Sequence, residues 1–200
     1  TQIEEFLKKE KPDAVSITTP SHTHAELSIK CLTHGMHVLC EKPIALNLAD
    51  AKKISEAVEK AKKKFMTGFN WRFHDHLLKA KNLTDEIGEP KIAWFRGSGN
   101  IQQKAWHLDK KTSGMITFES SIHRIDWLRW VLNSEAKYVY SESLNDVDET
   151  GLTSNEWIII KFKNNALGII GSSFTFPALS EDIGIIGTKK CIGIRSGNII

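Results

Sequence analysis

Along the first seventy residues, apolar runs of four or five positions alternate with stretches in which apolar positions recur every three or four residues. Gln2 to Glu10 reads as a helix end that Lys11-Pro12-Asp13 breaks, because proline has no N–H to carry the helix on. Ala14-Val15-Ser16-Ile17-Thr18 reads as a strand closed by Thr19-Pro20. Ser21 is placed to cap a helix through Ala25, Leu27, Ile29 and Leu32, and Gly35 to end it in the left-handed conformation. His37 to Cys40 forms a second strand. Asn47 caps the next helix, whose Leu48, Ala51, Ile54, Val58 and Ala61 make one apolar stripe facing a sheet. Phe65 to Phe69 supplies a third strand. Strand, helix, strand, helix, strand in this order predicts right-handed crossovers and a parallel sheet.

The pattern changes near residue 70. A helix around His74 to Ile87 leads to the break Gly88-Glu89-Pro90 and a strand from Lys91 to Arg96, and Ser113 to Leu132 reads as one long helix. Strands follow at Lys137–Ser141, Trp157–Lys163 and Leu167–Phe176, with weaker ones near Ile183 and Ile192. Short turns such as Lys163-Asn164-Asn165 predict antiparallel pairing. The chain thus divides into an α/β part, 1–69, and an α+β part, 70–200, the latter an open, mainly antiparallel sheet with helices on one face. Leu167 to Phe176 is apolar or small on both faces, so one side is expected on helices and the other on a partner subunit, making a homodimer or homotetramer.

Composition narrows the classes. Forty per cent of the 200 residues are hydrophobic, enough for a core, and the formal net charge is +3 from 27 basic and 24 acidic side chains mixed along the chain. The one basic run, Lys62-Lys63-Lys64, ends a helix where the macrodipole favours cations, so no nucleic-acid partner is expected. No stretch approaches eighteen apolar residues and no signal-peptide pattern opens the chain, so no membrane partner is expected. Cys31, Cys40 and Cys191 have no CxxC spacing and an odd count, which points to a reducing cytoplasm and away from disulfides or structural zinc.

Two places carry candidate chemistry. Glu41-Lys42-Pro43 follows a strand directly, and in open α/β sheets ligands bind beyond the carboxyl ends of the strands. Glu119 and His123 stand four apart on the expected long helix, where a carboxylate can orient an imidazole for proton transfer. The small residues around them, Ser113-Gly114 and Ser120-Ser121, leave room for a ligand. His22/His24 and His74/His76 have metal-ligand spacing without a third or fourth ligand nearby, so no metal is expected. Trp127 and Trp130 read as helix core, and Trp106, in a polar loop, as a pocket wall.

Taken together, Asp13 to Pro20 with His24 four residues on, Gly35 to Pro43, Gly68-Phe69-Asn70-Trp71-Arg72-Phe73, and Ser113-Gly114 leading to Ile122-His123-Arg124-Ile125-Asp126 resemble the Gfo/Idh/MocA oxidoreductases, over nearly the whole chain. The resemblance implies the second half of a Rossmann (doubly wound parallel) domain followed by an open-sheet substrate-binding and oligomerisation domain. It also implies NAD or NADP as cofactor and a sugar, polyol or sugar-nucleotide substrate. Carried over, it puts Lys42 between nicotinamide and substrate, with Glu41 and Pro43 shaping the turn. Thr19, Pro20 and His24 then lie on the nicotinamide ribose side, and Asn70 and Arg72 near the carboxamide edge. His123 becomes the group that exchanges the substrate proton. Glu119 stands where many members have aspartate, Ser120-Ser121 replaces a small apolar-glycine pair, and Ser113-Gly114-Met115 lacks two glycines of the usual triple. These departures bear on the substrate.

No Gly-x-Gly-x-x-Gly phosphate-binding turn occurs in the chain. The first helix-strand pair resembles the approach to the fourth strand of a Rossmann sheet, so the chain is expected to be truncated N-terminally, and C-terminally after Ile199-Ile200. The fragment alone is then expected to grip a dinucleotide weakly. Two other readings stay open: a non-catalytic dinucleotide- or sugar-sensing regulator on the same fold, and a stable oligomerisation module.

Overall fold

The computed structural model describes residues 2–99, 112, 116–144, 154–175, 180–195 and 198–199. These form two compact units, one built on residues 1–69 and the other on the described residues of 70–99 and 116–199.

The first unit holds α1 (Gln2–Lys9), β1 (Ala14–Ile17), α2 (His24–Thr33), β2 (His37–Cys40), α3 (Leu48–Ala61) and β3 (Phe65–Thr67). Its strands pair in parallel in the order β1-β2-β3, with Ile17 beside Cys40 and Cys40 beside Thr67. Val15, Ile17, Val38, Cys40 and Phe65 pack with Leu7, Leu32, Met36 and Ile54 into one core. The row Ser16, Leu39 and Met66 lies across the same sheet and is exposed.

Local chemistry explains most boundaries here. Asn47 accepts the Asp50 N–H as the N-cap of α3. α2 ends in the paired bonds Met36 N–H to Cys31 O and Gly35 N–H to Leu32 O, with Gly35 at φ +81°, a conformation in which a side chain would be strained. Two expectations are corrected. Ser21 does not cap α2: it begins a short 3₁₀ turn, Ser21–Thr23, and is itself buried. Leu48, at the first position of α3, points to solvent with 70% of its surface exposed, so the buried stripe narrows to Ile54 with Ala51, Val58 and Ala61 partly buried beside it.

The second unit holds α4 (Asp75–Asn82), β4 (Pro90–Ser98), a π-helical turn (Thr117–Ser121), α5 (Ile122–Leu132), and the strands β5 (Ala136–Leu144), β6 (Asn155–Phe162), β7 (Leu167–Ser173), β8 (Ser180–Gly187), β9 (Cys191–Arg195) and β10 (Asn198–Ile199). The sheet order is β10-β9-β8-β4-β7-β6-β5, antiparallel throughout except between β4 and β7. Alternation along β4 and β6 to β9 sends Ala93, Phe95, Ile158, Ile160, Phe162, Ile170, Ile183, Ile185, Ile192 and Ile194 to one face, where Leu77, Trp127, Leu128 and Val131 complete the core. The opposite face carries Trp94, Arg96, Trp157, Ile159 and Ile169.

The expected long helix is present over its described residues, 116–132, but not as a uniform α-helix. Ile116 is α-helical, Thr117–Ser121 form a π turn, which takes about one residue more per turn than an α-helix, and the chain is α-helical again from Ile122. The cause lies on β6: the Thr117 and Ser121 hydroxyls, at the two ends of the turn, both donate to the carboxylate of Glu156. α5 then ends at Asn133, in left-handed conformation at φ +45°.

Candidate active site

In the first unit the candidate residues gather at the carboxyl ends of β1 and β2. The parallel ladder runs one step past the strands, through Glu41 N–H to Ile17 O at 2.9 Å and Gly68 N–H to Cys40 O at 2.7 Å. Glu41 and Gly68 are thereby side by side, and a Cβ at residue 68 would come within 3.1 Å of the Glu41 carboxylate. Glycine there leaves that carboxylate its space. Lys42 follows, half-buried, its bond to the buried Pro43 in the cis form.

His24 knits this turn to the end of β1. Its ring is 1% exposed, with Nδ1 2.7 Å from Pro43 O and Nε2 2.7 Å from Thr19 O. A carbonyl oxygen only accepts, so both contacts are full hydrogen bonds when both ring nitrogens carry hydrogen. The imidazole is therefore spent on holding the Thr19-Pro20 and Lys42-Pro43 segments together. Beside it the Thr23 hydroxyl donates to Pro20 O, so that Thr19 Oγ1–H donates to Thr23 Oγ1 at 2.6 Å. Cys40 is buried at the end of β2, and that burial pushes its thiol up to about 11, which removes it as a nucleophile at neutral pH.

In the second unit His123, 8% exposed, lies one residue into α5. Its ring stacks on Trp71, centroids 4.7 Å apart and planes 12° from parallel. Trp71 belongs to a 3₁₀ turn, Asn70–Phe73, whose neighbour Arg72 donates from Nε and Nη2 to the two carboxylate oxygens of Asp126, each at 2.7 Å. Asp126 is buried and follows His123 by three residues, so this bidentate pair fixes the turn against the helix one turn beyond the imidazole. The pairing raises the Arg72 guanidinium above its ordinary range.

Beneath the π turn runs a buried polar chain with a fixed direction. Arg124 Nη1 donates to Ser120 Oγ at 2.7 Å and to Ser172 Oγ at 2.8 Å, and Ser121 donates to the Glu156 carboxylate. Guanidinium only donates and carboxylate only accepts, so the 2.6 Å contact between Ser172 and Ser121 must run from Ser172 to Ser121. Burial pulls Arg124 down to about 10, against the pull of the Glu181 and Glu156 charges, so it remains a cation at neutral pH. It fits against the sheet because residue 97 is glycine, where a Cβ would stand 2.4 Å from Arg124 Nη2.

The structure therefore brings Thr19, Pro20, His24, Glu41, Lys42 and Pro43 together in one unit, and Asn70, Arg72, Glu119 and His123 in the other. Arg72 and His24 are engaged within their own units, and Glu119 lies in the π turn that leads into α5. Trp106 and Ser113-Gly114-Met115 lie outside the described residues. Sequence reasoning missed Trp71, Arg124, Glu156 and Ser172. A signal existed for Glu156: strand alternation puts it on the face of Ile158 and Ile160, an acid among core positions. Among the described residues, no group of three or more His, Cys, Asp or Glu could hold a metal ion.

Known proteins give this geometry its context. The model of an oxidoreductase family with an NAD-binding Rossmann fold, GFO/IDH/MocA, matches residues 1–69, and the model of a GFO/IDH/MocA C-terminal domain matches residues 77–192. The chain belongs to the GFO/IDH/MocA family. It is 31% identical over 175 residues to a myo-inositol 2-dehydrogenase of Thermotoga maritima, covering 84% of this chain and 52% of that protein. It is 32% identical over 198 residues to an NAD(+) scyllo-inositol 2-dehydrogenase of Bacillus subtilis, covering 95% and 57%. A crystal structure of a probable dehydrogenase from Thermotoga maritima superposes with a TM-score of 0.87 at 30% identity, over 96% of this chain and 59% of that one. The chain spans about half the length of the curated relatives it matches.

The family binds NAD, a nicotinamide dinucleotide, on its Rossmann fold. The parallel β1-β2-β3 sheet, with exposed Thr19 and half-buried Lys42 at its carboxyl end, fits the nicotinamide half.

Proposed function

We propose that the full-length protein transfers a hydride between NAD or NADP and a secondary alcohol or ketone of a polyol, sugar or sugar-nucleotide. The reading rests above all on Lys42, set on a turn beyond a parallel strand that His24 ties to the end of β1. Bound nicotinamide supplies the hydride acceptor or donor. Lys42 sits at the reacting oxygen, where its ammonium stabilises the charge that develops on that oxygen as the C–H bond breaks. His123 takes the hydroxyl proton, and returns it in the reverse direction. Glu119, on the π turn, binds a further substrate hydroxyl or orients His123. Thr19 and Pro20 line the nicotinamide ribose, with Glu41 and Pro43 framing Lys42, and exposed Asn70 faces the carboxamide edge. We assign His24 and Arg72 to positioning, since their polar atoms are engaged by backbone carbonyls and by Asp126.

The relatives named for inositol make a cyclic polyol the first substrate class to try. Partnership with a second copy is supported by the open sheet face, on which Trp157 is 54%, Ile159 43% and Tyr140 60% exposed. Glycines flatten that face: the Trp94 ring lies over Gly184, and the Trp157 ring and the Arg96 stem lie over Gly171. A level aromatic surface of this kind suits a homodimer or homotetramer. Among the described residues no helix is long and apolar enough to cross a membrane, and all three cysteines are free thiols, which fits a cytoplasmic protein.

The test is nicotinamide absorbance on adding a panel of inositols, sugars and sugar-nucleotides to the full-length protein with NAD or NADP. The proposal expects substrate-dependent reduction with at least one of them. A sensor would bind without any change in redox state.

A further inference from the structure

Trp71 has no role in the reading given above, yet its ring stacks directly on that of His123. Besides the stack on the imidazole, it stacks on Phe95, centroids 4.8 Å apart and planes 24° from parallel, and Phe95 meets the buried Trp127 edge-on at 5.7 Å. His123, Trp71, Phe95 and Trp127 thus form a continuous series of rings from the sheet core to the candidate acid–base group. The series is held at its flanks. Arg124, fixed by Ser120 and Ser172, lies over the rings of both Trp71 and Phe95, at 5.8 and 5.4 Å. On the other side of Trp71 in sequence, Arg72 is clamped to Asp126 and lies over Trp130 at 5.5 Å.

An imidazole is joined to its helix through two rotatable bonds, so its plane has to be set by what it touches. A parallel indole face does that through the face of the imidazole rather than through either ring nitrogen. We propose that Trp71 is a positioning residue that sets the ring plane of His123, with the Arg72–Asp126 pair holding the indole in place. The proposal rests on the reading of His123 as the acid–base group.

Two measurements on the full-length protein test it. The first is spectroscopic and needs no turnover: stacked on an indole, the His123 ring protons carry a ring-current shift, identified by the loss of their signals in H123A. They should move back toward ordinary histidine positions in W71L and stay near the wild-type positions in W71F. The second is kinetic: W71L should lose about tenfold to a hundredfold in kcat, the scale of a misplaced reacting group, with KM for the polyol little changed, and W71F should recover most of it. Unmoved ring protons in W71L would overturn the proposal, as would a W71L enzyme with wild-type kcat. Should H123A keep full turnover, the acid–base reading of His123 fails, and the proposal with it. The ring-proton shift separately reports whether the stack is present.

Discussion

Glu156 shows how one side chain can set the geometry of a site it does not enter. Its carboxylate, 4% exposed, accepts from Thr117 and Ser121 and ends the chain that starts at Arg124. Replacing it by leucine leaves two hydroxyls without their acceptor and removes one of the two carboxylate charges, Glu181 being the other, that act on the buried Arg124 guanidinium. Breaking a buried charge system of this kind costs about 3 kcal/mol, so Glu156→Leu should lower the unfolding midpoint of the full-length protein markedly and Glu156→Gln less. A leucine variant within about 0.5 kcal/mol of wild type, the size of an ordinary surface substitution, would show that the clasp contributes nothing. Single residues were unevenly legible in the sequence. Lys42 announced itself because a charged pair followed an apolar strand and stopped at proline. Trp71 and Arg124 did not, because their meaning comes from pairings across the fold: Trp71 with His123 over fifty-two positions of chain, and Arg124 with Ser172 over forty-eight.

Elements were easier to read than their details. The parallel order β1-β2-β3, the Asn47 cap and the Gly35 terminus follow from local periodicity and capping chemistry, which act over a few residues. So does the β6–β7 hairpin, where Asn165 takes φ +68° and the Phe162 and Ala166 backbones close the turn. The π turn was not legible. Thr-Phe-Glu-Ser-Ser is compatible with an α-helix by propensity, and the departure comes from an acceptor on β6, thirty-five residues beyond Ser121. The same holds for the parallel pairing of β4 with β7 inside an otherwise antiparallel sheet, since register between strands so far apart leaves no local mark.

At the scale of the molecule, the open face of the large sheet and the proposed chemistry make separate claims. If that face joins two copies, the double substitution Trp157→Asp and Ile159→Asp should shift the sedimenting species of the full-length protein to monomer while leaving its circular dichroism unchanged; an unaltered oligomer would place the interface elsewhere. The chemistry is the central claim, and it is tested most directly by the turnover of the full-length protein on its best polyol with Lys42→Ala and His123→Ala, each compared with wild type at saturating cofactor. Loss of at least about a hundredfold in each is expected for an electrostatic group and an acid–base group acting on the reacting oxygen. Wild-type turnover in both variants would contradict the account.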